Sequence, residues 1–500
     1  MDPSTKQEWL ALAQDLKLPA GLFIDGKLQE SASGETFPSL NPATGEVLAA
    51  VALADAADVD RAVRSARRVF DSGIWSQADP GERKAVLLRL AALIRENAAE
   101  LALMESLDMG KLVTDARTID IPGTADTFQW YAEALDKVGG EIPSTGAGDL
   151  ALVTRVPLGV VGAVVPWNYP LNMAAWKVAP ALAAGNSVVL KPAEQSPLSA
   201  IRLAELAMQA GLPAGVLNVL PGPGEITGRA LGLHHDIDCI AFTGSTEVGK
   251  LFLGYSAQSN MKQVWLECGG KSPNLVFADV EDLDEAAAMA CYGIFGNQGQ
   301  VCSANSRLLV DRSIHRELVE ALVRHAQDYV PGDPLDPGST MGTLVDAGHA
   351  DRVLEYVEEG RRTANLVLGG TPGEVRASVV PTIFDEVSND SRIAREEIFG
   401  PVLVVIPFDT ENEAVSIAND SPYGLAASVW TGSLSRAHRV SERLAAGTVS
   451  VNTVDALGLT TPFGGFGQSG FGRDLSLHAL DKYTGLKTTW IHYSTSRSNA

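Results

Sequence analysis

The chain has 500 residues, of which 45% are hydrophobic and 20% are charged. This length and composition predict a large globular protein with about two to four domains. The 39 basic and 61 acidic residues give a formal net charge of -22 at pH 7. Because nucleic acids and anionic membranes are both bound by basic surfaces, neither is expected as a partner.

The N-terminal segment and the cysteines indicate a cytoplasmic protein. Residues 1–16 lack the basic and apolar regions of a secretory signal, and no apolar run approaches the ~18 residues of a membrane span. The four cysteines are Cys239, Cys268, Cys291 and Cys302. They show neither CxxC spacing nor the density of a disulfide scaffold, and no histidine pair stands at zinc-ligand spacing. We expect free thiols and no metal site.

The first third of the chain is predicted to be helical after a short β region. Residues 21–51 contain short β-like runs punctuated by Gly, Asn and Pro, which predict hairpins. From Ala56 to Ala134 the apolar residues recur at helical spacing, with an interruption at Pro122. Residues 137–157, rich in Gly, Ser and Thr before the alternating run LALVTRV, predict a linker and an extended arm. Such an arm suits an oligomerisation strand.

The remainder alternates between strand and helix patterns. The first series, residues 160–279, has strand patterns at GVVGAVV, NSVVL, GVLNVL, CIAFTG and NLVFAD, separated by helical runs. This alternation predicts an α/β fold with a parallel sheet whose strand ends bind a ligand. A second series after Asp279, with strands such as RLLV and PVLVVIPF, predicts a second α/β domain. The final run TGLKTTWI is expected to pair with the arm at 150–157.

Three strand-to-helix turns are candidate nucleotide contacts. Gly224 lies in a GxGxxxG pattern rather than GxGxxG, so a turn that simply needs glycine explains it equally well. Ser245 in FTGSTEVGK stands at an N-cap, where free N–H groups suit a pyrophosphate, although an ordinary capped helix has the same pattern. Lys191 and Glu194 in VVLKPAEQSP leave a strand end. A carboxylate there binds ribose hydroxyls and repels a 2′-phosphate, which favours NAD, with a solvated charged turn as the alternative.

Three further residues are candidates for catalysis. Cys302 in FGNQGQVCSA follows a helix and a polar segment, and as a nucleophile it needs a base or a lowered pKa. No histidine lies in a sequence typical of thiol proteases. Glu267, at the strand end in WLECGG, is the candidate base, with a salt bridge as the alternative. Asn168, between the prolines of PWNYP, is a candidate oxyanion donor unless it only satisfies its own turn.

The order of these motifs resembles the NAD(P)-dependent aldehyde dehydrogenase superfamily. The matching stretches are PWNYP, KPAEQSP, FTGSTEVGK, LECGGKSPN, GQVCSA, EEIFGPVL and PFGGFGQSGFGRD, and the resemblance runs from about residue 22 to 491. It implies that Cys302 is the nucleophile, Glu267 the general base and Asn168 part of the oxyanion hole. It also implies a Rossmann-like cofactor domain, an α/β catalytic domain and a small β oligomerisation domain. The corresponding segments are 1–136 with 158–268, then 269–468, and 137–157 with 484–497.

The same resemblance implies the ligand contacts. The expected cofactor is NAD rather than NADP, the expected partner a small aldehyde, and the expected assembly a homodimer or homotetramer. The expected cofactor-binding residues are Pro166, Trp167, Lys191, Glu194, Gly224, Phe242, Gly244, Ser245, Gly249, Glu397 and Phe399. The expected substrate-pocket residues are Tyr169, Met173, Trp176, Val301, Ser303, Asp455 and Phe463.

Within the superfamily the chain is most similar to bacterial γ-glutamyl-γ-aminobutyraldehyde and 4-guanidinobutyraldehyde dehydrogenases, through SNMKQVWLE, NLVFAD, GRDLSLHALDKYT and LKTTWI. An ω-amino or guanidino aldehyde is therefore the expected substrate. The loop NTVDALGLTTPFGG keeps Asp455 but adds Leu457, and Asn172 stands where leucine is common. These departures leave a broad aliphatic or aromatic aldehyde as the alternative. A coenzyme A-acylating enzyme, whose relatives often lack Glu267, and a non-catalytic binding protein are further alternatives.

Overall fold

The computed structural model describes residues 3–493. It begins with a helix, Lys6–Asp15, that the sequence patterns did not predict. Thr5 and Glu8 form a capping box at its start, and Trp9 is its buried residue. The predicted hairpin region holds the strands Leu22–Ile24, Lys27–Gln29, Thr36–Leu40 and Val47–Ala52.

The predicted helical region consists of helices that pack against the first sheet. An interruption occurs near Pro122, as expected, because a π-helical turn, Ala116–Asp120, precedes the helix that contains this proline. The helices of this region are Ala56–Asp71, Pro80–Glu96, Ala98–Met109, Val113–Asp115 and Ile121–Ala134.

The first α/β series forms a parallel sheet, as predicted, but the strand of NLVFAD is not part of it, because Pro273–Val276 pairs with Arg307–Asp311 and Ala426–Trp430 in the second sheet. The five central strands of the first sheet are parallel and are flanked on one side by the N-terminal hairpin and on the other by the short strand Gly470–Phe471. In spatial order the five are Leu217–Val219, Ser187–Lys191, Val160–Val164, Cys239–Gly244 and Gln263–Cys268. Helices that cover this sheet include Pro170–Ala183, Leu198–Gln209, Arg229–Leu233 and Thr246–Gln258. The strand order changes direction beside Val160–Val164, which is where such sheets bind ligands.

The second α/β series forms a separate sheet. Among the described residues it has seven strands, and all pair in parallel except Asn365–Leu368, which pairs antiparallel with its neighbour. In spatial order the others are Thr382–Asp385, Val402–Phe408, Arg307–Asp311, Pro273–Val276, Ala426–Trp430 and Thr448–Val451. The main helices are Leu283–Phe295, His315–Ala326, Ala347–Thr363, Glu411–Asn419 and Leu434–Ser441. Both faces of each sheet are buried in apolar clusters, two for the first sheet and two for the second.

The predicted arm is a long two-stranded ribbon. Asp149–Pro157 pairs antiparallel with Thr484–His492, which confirms the pairing expected for TGLKTTWI. Positions 494–497 of the arm, like residues 1 and 2 of the first segment, lie outside the described residues. Along Thr484–His492 the side chains are exposed or half-buried. An isolated two-stranded ribbon is only marginally stable in water. The exposed side chains of this arm include apolar ones, which the ribbon does not bury by itself.

Candidate active site

A cavity of about 690 Å³ lies beyond the carboxyl ends of the first sheet. Its floor contains the ends of Val160–Val164, Cys239–Gly244 and Gln263–Cys268, through residues 166–168, 243–247 and 268–269. The second α/β unit supplies the facing wall. The lining residues fall into two groups, one that includes residues 243–247 and one that includes Lys111, Asp120 and Tyr169, and these groups are taken as its two ends. Cys302 also lies in the lining.

Several residues at or beside this cavity have strained backbone conformations. Asn297 and Gln298 have φ values of 46° and 57°, and Phe399 and Asp455 have values of 59° and 46°. These are left-handed conformations that non-glycine residues rarely adopt, and they persist where surrounding structure enforces them, commonly at functional sites. Three of the four residues line the cavity: Asn297, Phe399 and Asp455.

The loop that carries Cys302 is tied to the first sheet by hydrogen bonds. The Asn168 amide Nδ2 donates to the Gln300 carbonyl oxygen at 2.8 Å. Asn297 Nδ2 donates to the Asn168 carbonyl oxygen at 3.1 Å, and the Val345 N–H donates to Gln300 Oε1 at 2.9 Å. The side chain of Asn168 and the backbone of Cys302 are therefore held in one rigid unit. Burial raises the pKa of the Cys302 thiol, and the nearby carboxylates of Asp455, Glu397 and Glu267 raise it further.

Glu267 lies at the end of Gln263–Cys268 and is only 5% exposed. Neither of its carboxylate oxygens has a hydrogen-bond partner within the described part of the chain. Burial raises its pKa well above the ordinary value, with a further contribution from Asp474, which itself pairs with Lys177 and Lys482. Within residues 3–493 Glu267 does not form the strand-end salt bridge that was its alternative role. The residue does not line the cavity, but its charge acts on the Cys302 thiol.

One end of the cavity has the features of a dinucleotide site. The strand end leads into Thr246–Gln258, whose N-cap Ser245 accepts a hydrogen bond from the Val248 N–H at 3.3 Å. Thr243 lines the same end, is 8% exposed and has an unpartnered Oγ1. Free N–H groups at a helix start and a buried unpartnered hydroxyl are suited to a phosphate-containing ligand.

Aromatic rings and a carboxylate line the same end from the second unit. Phe399 lies edge-on to Trp167, with 5.2 Å between ring centroids. His349 lies 5.4 Å from Trp167 and its Nε2 is 2.8 Å from the Phe399 carbonyl oxygen. Glu397 Oε1 accepts a hydrogen bond from the Gly270 N–H at 3.1 Å, and burial raises its pKa to about 7. The aromatic rings of Trp167 and Phe399 suit a flat ring of a ligand, and the Glu397 carboxylate suits the hydroxyl groups of a ribose.

The other end contains aromatic rings and carboxylates. Trp176 and Phe463 lie edge to face, 5.4 Å apart. Lys111 Nζ stands 3.9 Å above the Tyr169 ring and forms a buried ion pair with Asp120. Apolar walls with a few placed charges are typical of a pocket for a small organic substrate.

Most residues expected at the site lie together. The cavity is lined by Pro166, Trp167, Asn168, Tyr169, Met173, Trp176, Gly244, Ser245, Val301, Cys302, Ser303, Glu397, Phe399, Asp455 and Phe463. Lys191, Glu194, Gly224, Phe242 and Gly249 lie outside this lining. Lys191 Nζ donates to Glu194 Oε2 at 3.1 Å, so these two form an ion pair beyond the strand end.

Sequence reasoning missed several lining residues. They include Lys111, Asp115, Asp120, Thr243, Tyr292, His349, Arg352 and Tyr423. The interruption before Pro122 was the one signal available, because it marks the π-helical turn that brings Asp120 to the cavity. His349 lies inside an ordinary helix, Ala347–Thr363, where its pattern carries no signal.

The fold and the cavity define a dinucleotide-dependent enzyme with a cysteine beside its cofactor site. The chain belongs to the aldehyde dehydrogenase family, whose model matches residues 28–489. It is 53% identical over 483 residues to the NADP/NAD-dependent aldehyde dehydrogenase PuuC of Escherichia coli, covering 97% of this chain and 98% of that protein. It is therefore an oxidoreductase that oxidises aldehydes with NAD.

Two solved structures are similar over their whole length. The γ-glutamyl-γ-aminobutyraldehyde dehydrogenase of Burkholderia cenocepacia is 56% identical, with a TM-score of 0.96 and coverage of 98% of this chain and 100% of that one. The indole-3-acetaldehyde dehydrogenase AldA of P. syringae, solved with NAD⁺ and IAA, is 54% identical, with a TM-score of 0.97 and the same coverage. Within residues 3–493 no helix is both long and apolar enough to cross a membrane. In the same range no group of three or more His, Cys, Asp or Glu side chains is placed to hold a metal ion.

Proposed function

We propose that Cys302 is the nucleophile, Asn168 the oxyanion donor and Glu267 the general base of this dehydrogenase. The supporting observation is that the hydrogen bonds around Gln300 hold Cys302 and Asn168 together in the lining of one cavity. An amide nitrogen carries two hydrogens, and Asn168 uses one of them on the Gln300 carbonyl. The other is available to an oxygen that develops charge when the thiolate attacks a carbonyl.

The chain's own groups then act in sequence. The Cys302 thiolate adds to the aldehyde carbon, and the Asn168 amide with the Cys302 N–H stabilises the resulting oxyanion. NAD, when bound, supplies the acceptor for the hydride that leaves this carbon. Glu267 takes a proton from the water that attacks the resulting thioester, which releases the acid and frees Cys302. Burial suits Glu267 to this step because a carboxylate with a raised pKa is a stronger base.

The residues present are suited to hold NAD at the described end of the cavity. Ser245 and the helix start behind it would hold the pyrophosphate, while Glu397 would hold the nicotinamide ribose. Trp167 and Phe399 would enclose the nicotinamide ring. We further propose that Lys191 and Glu194 bind the adenosine ribose, where the carboxylate disfavours a 2′-phosphate.

We propose an aldehyde with a cationic nitrogen as the substrate. Three carboxylates, those of Asp115, Asp120 and Asp455, line the substrate end, and the single lysine there, Lys111, is already paired with Asp120. The remaining acidic charge of Asp115 and Asp455 suits an ammonium or guanidinium group. The 50% identity over 491 residues to an aminoacetaldehyde dehydrogenase of Pseudomonas aeruginosa supports this class of substrate.

The test compares kcat/KM for 4-aminobutanal and pentanal, a matched pair in which an ammonium replaces a methyl group. We expect the cationic aldehyde to be preferred about tenfold or more, equivalent to about 1.4 kcal/mol. Equal values would refute the cationic substrate and leave aldehyde oxidation itself intact. Cys302→Ala should abolish NADH formation with both aldehydes.

An aromatic aldehyde is the second candidate. The paired rings of Trp176 and Phe463, with Met173 beside them in the lining, form an apolar surface on which a planar substrate packs. The similarity to an indole-3-acetaldehyde dehydrogenase favours this reading. A higher kcat/KM for indole-3-acetaldehyde than for 4-aminobutanal would select it.

We also propose a homodimer or homotetramer that works in the cytoplasm. The arm leaves large apolar side chains exposed, including Leu486 and Trp490 at 65% and 62%. We expect the ribbon of one copy to contact a second copy of the chain, which would bury these apolar side chains. The cytoplasm accords with the four cysteines, all of which are free thiols.

Two separate sheets and the ribbon support the proposed division of the chain. Residues 1–136 and 158–268 would form the cofactor domain and 269–468 the catalytic domain. Residues 137–157 and 484–497 would form the oligomerisation arm.

A further inference from the structure

Asp455 is the carboxylate most closely connected to the nucleophile. Its Oδ1 accepts a hydrogen bond of 2.6 Å from the hydroxyl of Ser303, the residue next to Cys302. Its backbone is held at a φ of 46°, so the loop is shaped to bring this side chain to the cavity. Within residues 3–493 its second oxygen, Oδ2, has no hydrogen-bond partner. One oxygen therefore fixes the carboxylate and the other is available to a ligand.

The charges around Cys302 oppose ionisation of its thiol. Asp455, Glu397 and Glu267 all act on the thiol in this direction, and the effect of Asp455 is the largest of the three. The same part of the cavity lining contains Asp115, Asp120 and Lys111, together with the phenols of Tyr169 and Tyr292, whose pKa values are raised, so both phenols are uncharged at neutral pH. Burial raises the pKa of Asp455 itself, while the hydrogen bond from Ser303 lowers it. A cation placed at Asp455 would therefore remove the strongest charge opposing the thiolate.

We propose that Asp455 binds the cationic nitrogen of the substrate and that this ion pair promotes formation of the Cys302 thiolate. The proposal rests on the cationic substrate argued above. The S–H bond of Cys302 breaks when the ammonium group occupies Oδ2, and the proton passes to solvent water in the cavity. A neutral aldehyde of equal size makes the same apolar contacts but leaves the charge of Asp455 uncompensated. Asp455 would thus link recognition of the tail to activation of the nucleophile, and Ser303 would hold it in position.

The test uses compounds without an aldehyde, so that no turnover occurs. The full-length free enzyme is saturated with butylamine, which is protonated at pH 8, or with neutral 1-butanol, and the rate of Cys302 alkylation by iodoacetamide is followed by mass spectrometry. The two compounds have the same number of non-hydrogen atoms, so we expect them to shield the thiol equally. Saturation is established by calorimetry. We expect alkylation to be about tenfold faster with butylamine, as for a pKa lowered by one unit.

Two variants identify the carboxylate. Asp455→Asn keeps an oxygen for the Ser303 hydroxyl but removes the charge, so alkylation should be about tenfold faster without any addition and butylamine should have no further effect. Asp115→Asn removes another carboxylate charge from the substrate end, and butylamine should still accelerate alkylation in this variant because Asp455 is retained. Kinetics with 4-aminobutanal should show a loss for Asp455→Asn that is absent with pentanal.

Several results would overturn the proposal. Butylamine that binds without accelerating alkylation would show that tail recognition and thiol activation are separate, while the preference for cationic aldehydes could stand. Acceleration that persists in Asp455→Asn would place the cation at another carboxylate. Absence of butylamine binding would also reject it. Equal kcat/KM values for 4-aminobutanal and pentanal would instead refute the cationic substrate itself, so the two failures are distinguishable.

Discussion

Substitution of Glu267 by glutamine separates the two halves of the reaction. The change keeps the shape of the side chain, and because neither carboxylate oxygen has a partner among the residues that the structure describes, no hydrogen bond seen there is lost. A neutral amide cannot take the proton of the attacking water, so thioester hydrolysis should slow by about 10²- to 10⁴-fold, the usual contribution of a general base. This corresponds to about 3 to 5 kcal/mol of activation free energy.

The first half of the reaction should behave differently. The charge of Glu267 raises the pKa of the Cys302 thiol, so its removal makes the thiolate easier to form. Acylation should therefore proceed at least as fast as in the wild type. Stopped-flow measurement should show a burst of NADH equal to the concentration of active sites, followed by a slow steady state.

Cys268→Ala is the matched control, because it changes the next residue on the same strand without touching the carboxylate. It should retain both the burst and the steady-state rate. A Glu267→Gln enzyme in which the burst slows as much as the steady state would refute the reasoning, since Glu267 would then act before the thioester forms.

Three further predictions concern the oxyanion, the pH dependence and the arm. Asn168→Ala should lower kcat by about 10²- to 10³-fold and slow the NADH burst itself; an unaffected burst would exclude Asn168 from the first step. Because the pKa values of Cys302 and Glu267 are both raised, the fraction of each group in its reactive ionised form increases with pH, so kcat/KM should rise with pH from about 6 to 9. An acidic optimum would contradict this. Leu486→Asp places a charge on the exposed ribbon and should lower the oligomer mass in sedimentation velocity; an unchanged mass would show that this face is not an interface.

Secondary structure followed closely from the sequence where patterns were local and repeated. The strands Val160–Val164 and Cys239–Gly244, for example, lie where apolar runs bounded by turn residues predicted them. The helix Lys6–Asp15 was not predicted, although Thr5 and Glu8 have the spacing of a capping box, which is a signal visible in the sequence. The short strand Gly470–Phe471 was missed for a different reason, because its pairing with Gln263–Cys268 joins segments far apart in the chain.

By itself, the sequence determined the kinds of groups at the site and their order along the chain, since a thiol, a carboxylate and an amide each have chemistry that depends on residue type. It also placed them at strand ends and turns, because those signals are local. Tertiary structure alone decided that Asn168 is hydrogen-bonded to the loop that carries Cys302 and that Asp455 reaches the residue beside the nucleophile, Ser303. It also decided that Glu267 has no hydrogen-bond partner among the described residues. Burial, charge and contact depend on segments separated by more than a hundred residues, and no local pattern records them.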